Sequence, residues 1–265
     1  MTMSKPIRKV LALLALSLAL PAAQAQTGYP SPEAAGNALV QALSTGDRAA
    51  LGGILGANYK QVLPNDIDDD DIYDFLAAWS QSHEIARDAD GRAWMDVGPS
   101  RWRLPIPLAE HKGQWRFDLK AAAPEIRRRE IGRNELGAIQ TLRDIQAAQQ
   151  SYASQHAGQY AQRLVSRRGR QDGLYWPETD NTPPSSLGIE ALVMGPDTPA
   201  PAAYYGYRYV ILPGEDGQGY RVAAWPARFG ITGVHRFIAG PDGILQSPQP
   251  GRPGTAKGAD WTPLP

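Results

Sequence analysis

Residues 66–74 read Asp-Ile-Asp-Asp-Asp-Asp-Ile-Tyr-Asp, a density of carboxylates that hard cations favour. A calcium loop also needs a glycine at its sharp turn and a bidentate glutamate at its end, and this run supplies neither. A helix start explains it more simply, with Asp70 or Asp71 as the cap and the neighbouring acids favoured by the positive end of the dipole. The four histidines, His83, His111, His156 and His235, are scattered, and no two stand at H-x-x-x-H spacing. No G-x-S-x-G elbow occurs, although a triad assembled from distant residues stays open, since triads are spatial. The chain contains no cysteine, which excludes disulfides, thiolate nucleophiles and cysteine-based zinc sites. The sequence therefore names no catalytic residue, no metal site and no cofactor.

The binding candidates are aromatic and basic. Tyr175 and Trp176 are adjacent in the stretch Asp172-Gly173-Leu174-Tyr175-Trp176-Pro177. Such a pair can form a contact surface, because tyrosine and tryptophan dominate interface hot spots. Trp176 can equally fill the space between a helix and a sheet, and that core reading is preferred. Arg127, Arg128, Arg129 and Arg133 read as a solvated or acid-paired helix start, with contact to an anionic surface as the alternative. Trp94, Trp102 and Trp115 fall in a strand-rich region and would line a ligand pocket if helices packed over them. The glycine-rich piece Gly214–Gly219 lies between two strands, so it reads as a hairpin turn and not as a phosphate cradle.

The first 25 residues have the three parts of a secretory leader. Lys5, Arg8 and Lys9 give the positive end, an apolar run covers 10–20, and Ala23-Gln24-Ala25 supplies the small-x-small exit. Cleavage after Ala25 would leave a periplasmic or secreted chain beginning at Gln26, with no membrane anchor. Three of the 27 basic residues lie in the leader, against none of the 27 acidic ones. The mature chain is thus mildly acidic, which argues against nucleic acid as a partner.

The elements that must position these residues follow from periodicity and punctuation. Ser31-Pro32-Glu33 reads as a helix start, a second helix runs from Arg48 to Leu55, and a third carries Ile72, Phe75, Leu76 and Trp79 as its stripe. Strands are predicted at His83–Arg87, Ala93–Val97, Trp102–Leu108 and Gln114–Phe117, separated by Gly/Pro/Asp turns. Residues 26–123 thus form an α+β domain of cone-like order. Pro124 opens a long helix in which Ile131, Ala138, Leu142, Ile145, Gln149 and Tyr152 share one face. From Glu125 to His156 it would extend about 48 Å, too long to bury itself alone. Strands at Tyr204–Leu212, Tyr220–Trp225 and Gly233–Ala239 supply a small antiparallel sheet, so 124–246 form a second α+β domain. Residues 247–265, rich in proline and glycine, read as a loosely ordered tail.

Several of these segments resemble hallmarks of an exported bacterial family, domain of unknown function 2950. They are Arg128–Glu135, Asp172–Pro177 and Ala224–Gly230, with Leu104–Leu108, Trp115–Asp118, Phe237-Ile238 and Asp242-Gly243. They span most of the mature chain in order. Cysteine-containing variants of the long helix are not followed here, and residues 61–66 and those after Gln246 depart from the pattern. The resemblance implies an exported protein of a family without an established activity. A second resemblance is carried by Leu142–Gln149, Tyr152, Gly158 and Tyr160-Ala161 on a helix that precedes a sheet. This looks like the globular half of a type IV pilin, without the apolar segment that holds such helices in a membrane and a filament. The expectation is a non-enzymatic binding or envelope-assembly module with an envelope or extracellular protein partner. The rival is a small-ligand or enzymatic cone-like domain built on the three tryptophans.

Overall fold

The structure, a computed structural model, describes residues 26–64, 67–179, 182–214, 219–253 and 260–264. The leader at 1–25, and residues 215–218 of the expected hairpin turn, lie outside the described residues. The fold is α+β, with helices and two antiparallel sheets. The chain divides into two compact units, Met1–Ala122 and Ala123–Pro265.

In the first unit, α1 (Pro32–Ser44) starts where Ser31 Oγ accepts from the Ala34 amide, with Pro32 in the first turn. Helix α2 (Arg48–Leu55) starts where Asp47 accepts from the amides of Ala49 and Ala50. After a single helical turn, α3 (Tyr59–Val62), the acidic run opens α4 (Asp69–Gln81). The cap is Asp68, two or three residues earlier than expected. Asp71 N donates to Asp68 Oδ1 at 3.0 Å and Asp68 N to Asp71 Oδ2 at 3.3 Å. This reciprocal capping box needs two acceptors three residues apart, and in a run of aspartates the pair at 68 and 71 meets that spacing.

Strands β1 (His83–Arg87), β2 (Ala93–Val97), β4 (Leu108–His111) and β5 (Gln114–Phe117) pair antiparallel in the order β1-β2-β4-β5, and β3 (Trp102–Arg103) pairs with β2 off this path. The single strand expected over 102–108 is thus two. Pro105 and Pro107 have no amide hydrogen to give a ladder, so pairing lapses between β3 and β4. The core packs Ala35, Leu39, Ile54 and Trp79 of the helices with Met95, Leu108 and Phe117 of the sheet.

The 37-residue helix α5 (Leu119–Gln155) crosses from one unit to the next. It begins five residues before Pro124, capped by Asp118, whose Oδ1 accepts from the Ala121 amide at 2.9 Å. Ala138, Leu142, Ile145, Gln149 and Tyr152 are buried in the second unit's core, whereas Ile131 is only half-buried. Gln149 is fully buried, and its amide meets both polar groups of one residue. Nε2 donates to Ala161 O at 2.8 Å and Oε1 accepts from Ala161 N at 2.9 Å.

Opposite this stripe lies a sheet of order β10-β9-β8-β7-β6, made of β6 (Tyr207–Pro213), β7 (Tyr220–Pro226), β8 (Arg236–Gly240), β9 (Gly243–Ser247) and β10 (Thr262–Pro263). The turn at Pro241-Asp242 closes the β8–β9 hairpin, with Gly243 at φ 136°. The segment expected as a loose tail returns to the sheet. Its Arg252 guanidinium lies 5.6 Å from the Trp225 ring centroid, its Trp261 ring stacks under Arg236, and Leu264 N donates to Ile244 O.

Candidate functional site

In the second unit, the N-terminal half of α5 meets the chain that leaves β7. Asn134 Nδ2 donates to Thr232 O at 3.1 Å. The next residue, Glu135, uses Oε1 to accept from the amides of Val234 at 2.8 Å and His235 at 3.0 Å. Its Oε2 stands 3.0 Å from His235 Nδ1. A mostly buried carboxylate thereby gathers three donors across a hundred residues of sequence. Tyr207, on β6, completes the arrangement by donating its hydroxyl to His235 O at 2.8 Å. Burial, reinforced by the Glu135 charge, holds the Tyr207 phenol well above its ordinary pKa.

The tie depends on close approach. A Cβ on Gly233 would collide with the Tyr207 hydroxyl, and one on Gly137 would collide with the Tyr205 ring. The loop after β7 is closed by two bonds, Arg228 N to Thr232 Oγ1 and Gly230 N to Gly233 O, and is joined to the start of β6 by Ala227 N donating to Gly206 O. This closed loop presents Phe229. Two large apolar side chains on the adjoining segments stand in solvent, Tyr205 at 47% exposure and Phe229 at 45%, while Leu136, 70% exposed, lies on the face of α5 opposite its buried stripe.

The chemistry available is modest and specific. His235 Nε2, the ring nitrogen turned away from Glu135, has no hydrogen-bond partner among the described residues. Glu135 is engaged by three donors and so acts as the fastener of a turn. The site offers one open imidazole nitrogen beside exposed aromatic side chains.

The residues singled out from sequence are distributed elsewhere. Trp176 is buried, with Nε1 donating to Pro183 O at 2.9 Å, so it fills the space between helix and sheet. Tyr175 is half-buried and pairs through its backbone with Leu164. Asp172, in the same loop, accepts from the Arg167 amide and side chain, which lowers its pKa. Arg133 is exposed on α5, one residue before the tie, while Arg128 and Arg129 both pair with Glu125.

The three tryptophans of the first unit are not brought together. The registers Val97↔Trp102, Ala93↔Leu108 and Leu108↔Phe117 put Trp102 and Trp115 on the helix-facing side and Trp94 on the other. Trp94 bonds Asp88 beneath the Arg103 guanidinium, Trp102 packs edge-on to Phe75, and Trp115 lies under Arg87. A shallow concavity of about 330 Å³ in this unit is lined by Gln26, Leu55, Arg116, Phe117 and Lys120, among others, and by no tryptophan. Of the other histidines, His83 stacks on Trp79 and His156 on Tyr152.

The Glu135–His235 pair was missed from sequence, since neither residue has a partner at motif spacing. The hallmark segment Arg128–Glu135 does contain Asn134 and Glu135, but the other side of the tie, Thr232 to His235, lies outside Ala224–Gly230.

Fold and site together define a two-unit α+β protein in which a long helix is fastened to a meander sheet at a glycine-tight polar tie. The chain belongs to the family described as "Protein of unknown function (DUF2950)", whose model matches residues 26–260. No curated relative and no solved structure matches the chain.

Proposed function

We propose that this is an exported, non-enzymatic binding module, periplasmic or secreted after removal of residues 1–25, which serves envelope assembly through a protein partner. The observation that carries the reading is the exposure of Tyr205 and Phe229 on the two segments joined by the Ala227–Gly206 bond, beside the polar tie. Exposed aromatic side chains are favoured at interaction sites, where preorganised ones bind at low entropic cost. The open Nε2 of His235 adds one directed hydrogen bond to the partner.

The second unit's order, a long helix followed by an irregular crossover and an antiparallel meander, supports a pilin-like architecture. The part of α5 before the buried stripe is charged: Glu125, Arg127, Arg128, Arg129, Glu130 and Arg133. It is unsuited to the apolar packing of a filament core, so the module is read as a head that binds without polymerising.

The reading is tested by placing a photo-crosslinker at Phe229 and, as a control, at Glu178 in cells that export the protein. A discrete protein adduct is expected from position 229, absent at 178 and lost when Tyr205→Ala is added. Equal labelling at both positions would overturn it.

A further inference from the structure

Gln26 is bonded through its side chain and its backbone. Its Nε2 donates to Ile54 O, in α2, at 2.9 Å and to Phe117 O, at the end of β5, at 2.7 Å. A primary amide has two N–H bonds, and both are used. Arg116 Nε donates to the Gln26 carbonyl at 3.3 Å, and Thr27 N donates to Gly53 O at 2.8 Å. Tyr29 and Trp115 exchange both backbone bonds, at 2.9 and 2.7 Å. The segment 26–29 is thus joined to α2 on one side and to the outer edge of β5 on the other. The sequence places the leader exit, Ala23-Gln24-Ala25, directly before it.

We propose that Gln26 is the mature N-terminal residue and that its carboxamide is a clamp which the fold protects from the modification open to an N-terminal glutamine. The inference rests on the export reading above. In that modification the α-amine nitrogen attacks the residue's own Cδ. A C–N bond closes a five-membered lactam, the Cδ–Nε2 bond breaks, and the nitrogen leaves as ammonia with the proton released by the amine. No oxidant, reductant or co-reactant is needed. The product, pyroglutamate, has lost Nε2, and with it both bonds to Ile54 and Phe117. In the folded unit, cyclisation must first release the amide from two part-buried carbonyls, so the native state resists it. Once formed, the lactam leaves those carbonyls without their donor. The chemical state of residue 26 therefore sets how firmly the N-terminal segment joins α2 to β5.

The experiment uses the full chain exported from cells and purified without unfolding. Intact mass and N-terminal sequencing are expected to show a chain that begins at Gln26 and retains its ammonia. At neutral pH the folded protein is expected to cyclise at least about tenfold more slowly than the same chain in urea, since two hydrogen bonds must open first. Protein cyclised in urea and refolded by dilution is expected to melt about 4 °C or more below the Gln26 form; failure to refold where the Gln26 form succeeds counts the same way. Equal cyclisation rates in the two states, or equal melting temperatures, would overturn the inference and leave the export reading standing. A chain that begins at any other residue also overturns it, and one that still carries Met1 removes the export reading as well.

Discussion

Glu135 on α5 and His235 just before β8 meet at 3.0 Å, and the same carboxylate holds the amides of Val234 and His235. This contact fixes the entry to β8 against the long helix. Replacing Glu135 by alanine leaves two backbone amides and an imidazole without their acceptor. Glu135→Ala is expected to cost roughly 2–3 kcal/mol in urea denaturation. Glu135→Gln keeps one carbonyl oxygen for the amides and is expected to cost less than half as much.

Gly233 tolerates no side chain, because the buried Tyr207 hydroxyl occupies the place its Cβ would take. Gly233→Ala is expected to destabilise by about 1–3 kcal/mol, the usual consequence of overpacking beside a group that cannot move. Gly52, inside α2, has open space at its Cβ position. Gly52→Ala is therefore the control, expected to stabilise by roughly 0.5–1 kcal/mol. Thermal melting of both variants checks the pair.

Gln149→Leu keeps the volume of the side chain and removes its two bonds. The Ala161 amide and carbonyl, at a residue almost fully buried, would then lack partners. A loss of roughly 2–4 kcal/mol is expected from two unsatisfied buried groups. Chemical denaturation is the measurement, and a loss below about 1 kcal/mol would show that water replaces the amide.

Three tyrosines of the second unit's sheet give the protein an alkaline limit. Burial pushes Tyr220 up to about 12 from its ordinary 10.0, and raises Tyr207 and Tyr209 further. A phenol whose pKa is raised by folding is favoured in its neutral form. Its contribution is complete below pH 10 and is lost as the pH climbs through the folded-state value. The melting temperature is expected to be insensitive to these groups up to pH 10 and to fall steeply between pH 10 and 12, with phenolate absorbance appearing together with unfolding. Phenolate appearing in the folded protein near pH 10 would contradict this.

Local features were legible because their causes are local. The Ser31 cap, the acidic start of α4 and the buried face of α5 follow from which side chains lie within one or two turns of each other. Even the need of Gln149 for a partner was readable, as the polar member of an apolar stripe. The start of α5 was misplaced because Pro124 is usual in a first helical turn, whereas the cap that starts the helix is Asp118. Strand β9 went unread because the proline- and glycine-rich composition after it suggested a tail, and its pairing with β8 is a tertiary fact.

The sequence by itself determined the α+β class, the start of α1, both ends of α2, the end of α5, the absence of thiol chemistry and the leader-like first 25 residues. These depend on composition, periodicity and neighbours in the chain. Only the tertiary structure decided that Glu135 meets His235, that Trp94 faces away from Trp102 and Trp115, and that the segment after Ser247 returns to the sheet. Each of these depends on strand register and on contacts between residues up to a hundred positions apart. No local pattern encodes such contacts, because they exist only once helix and sheet have packed.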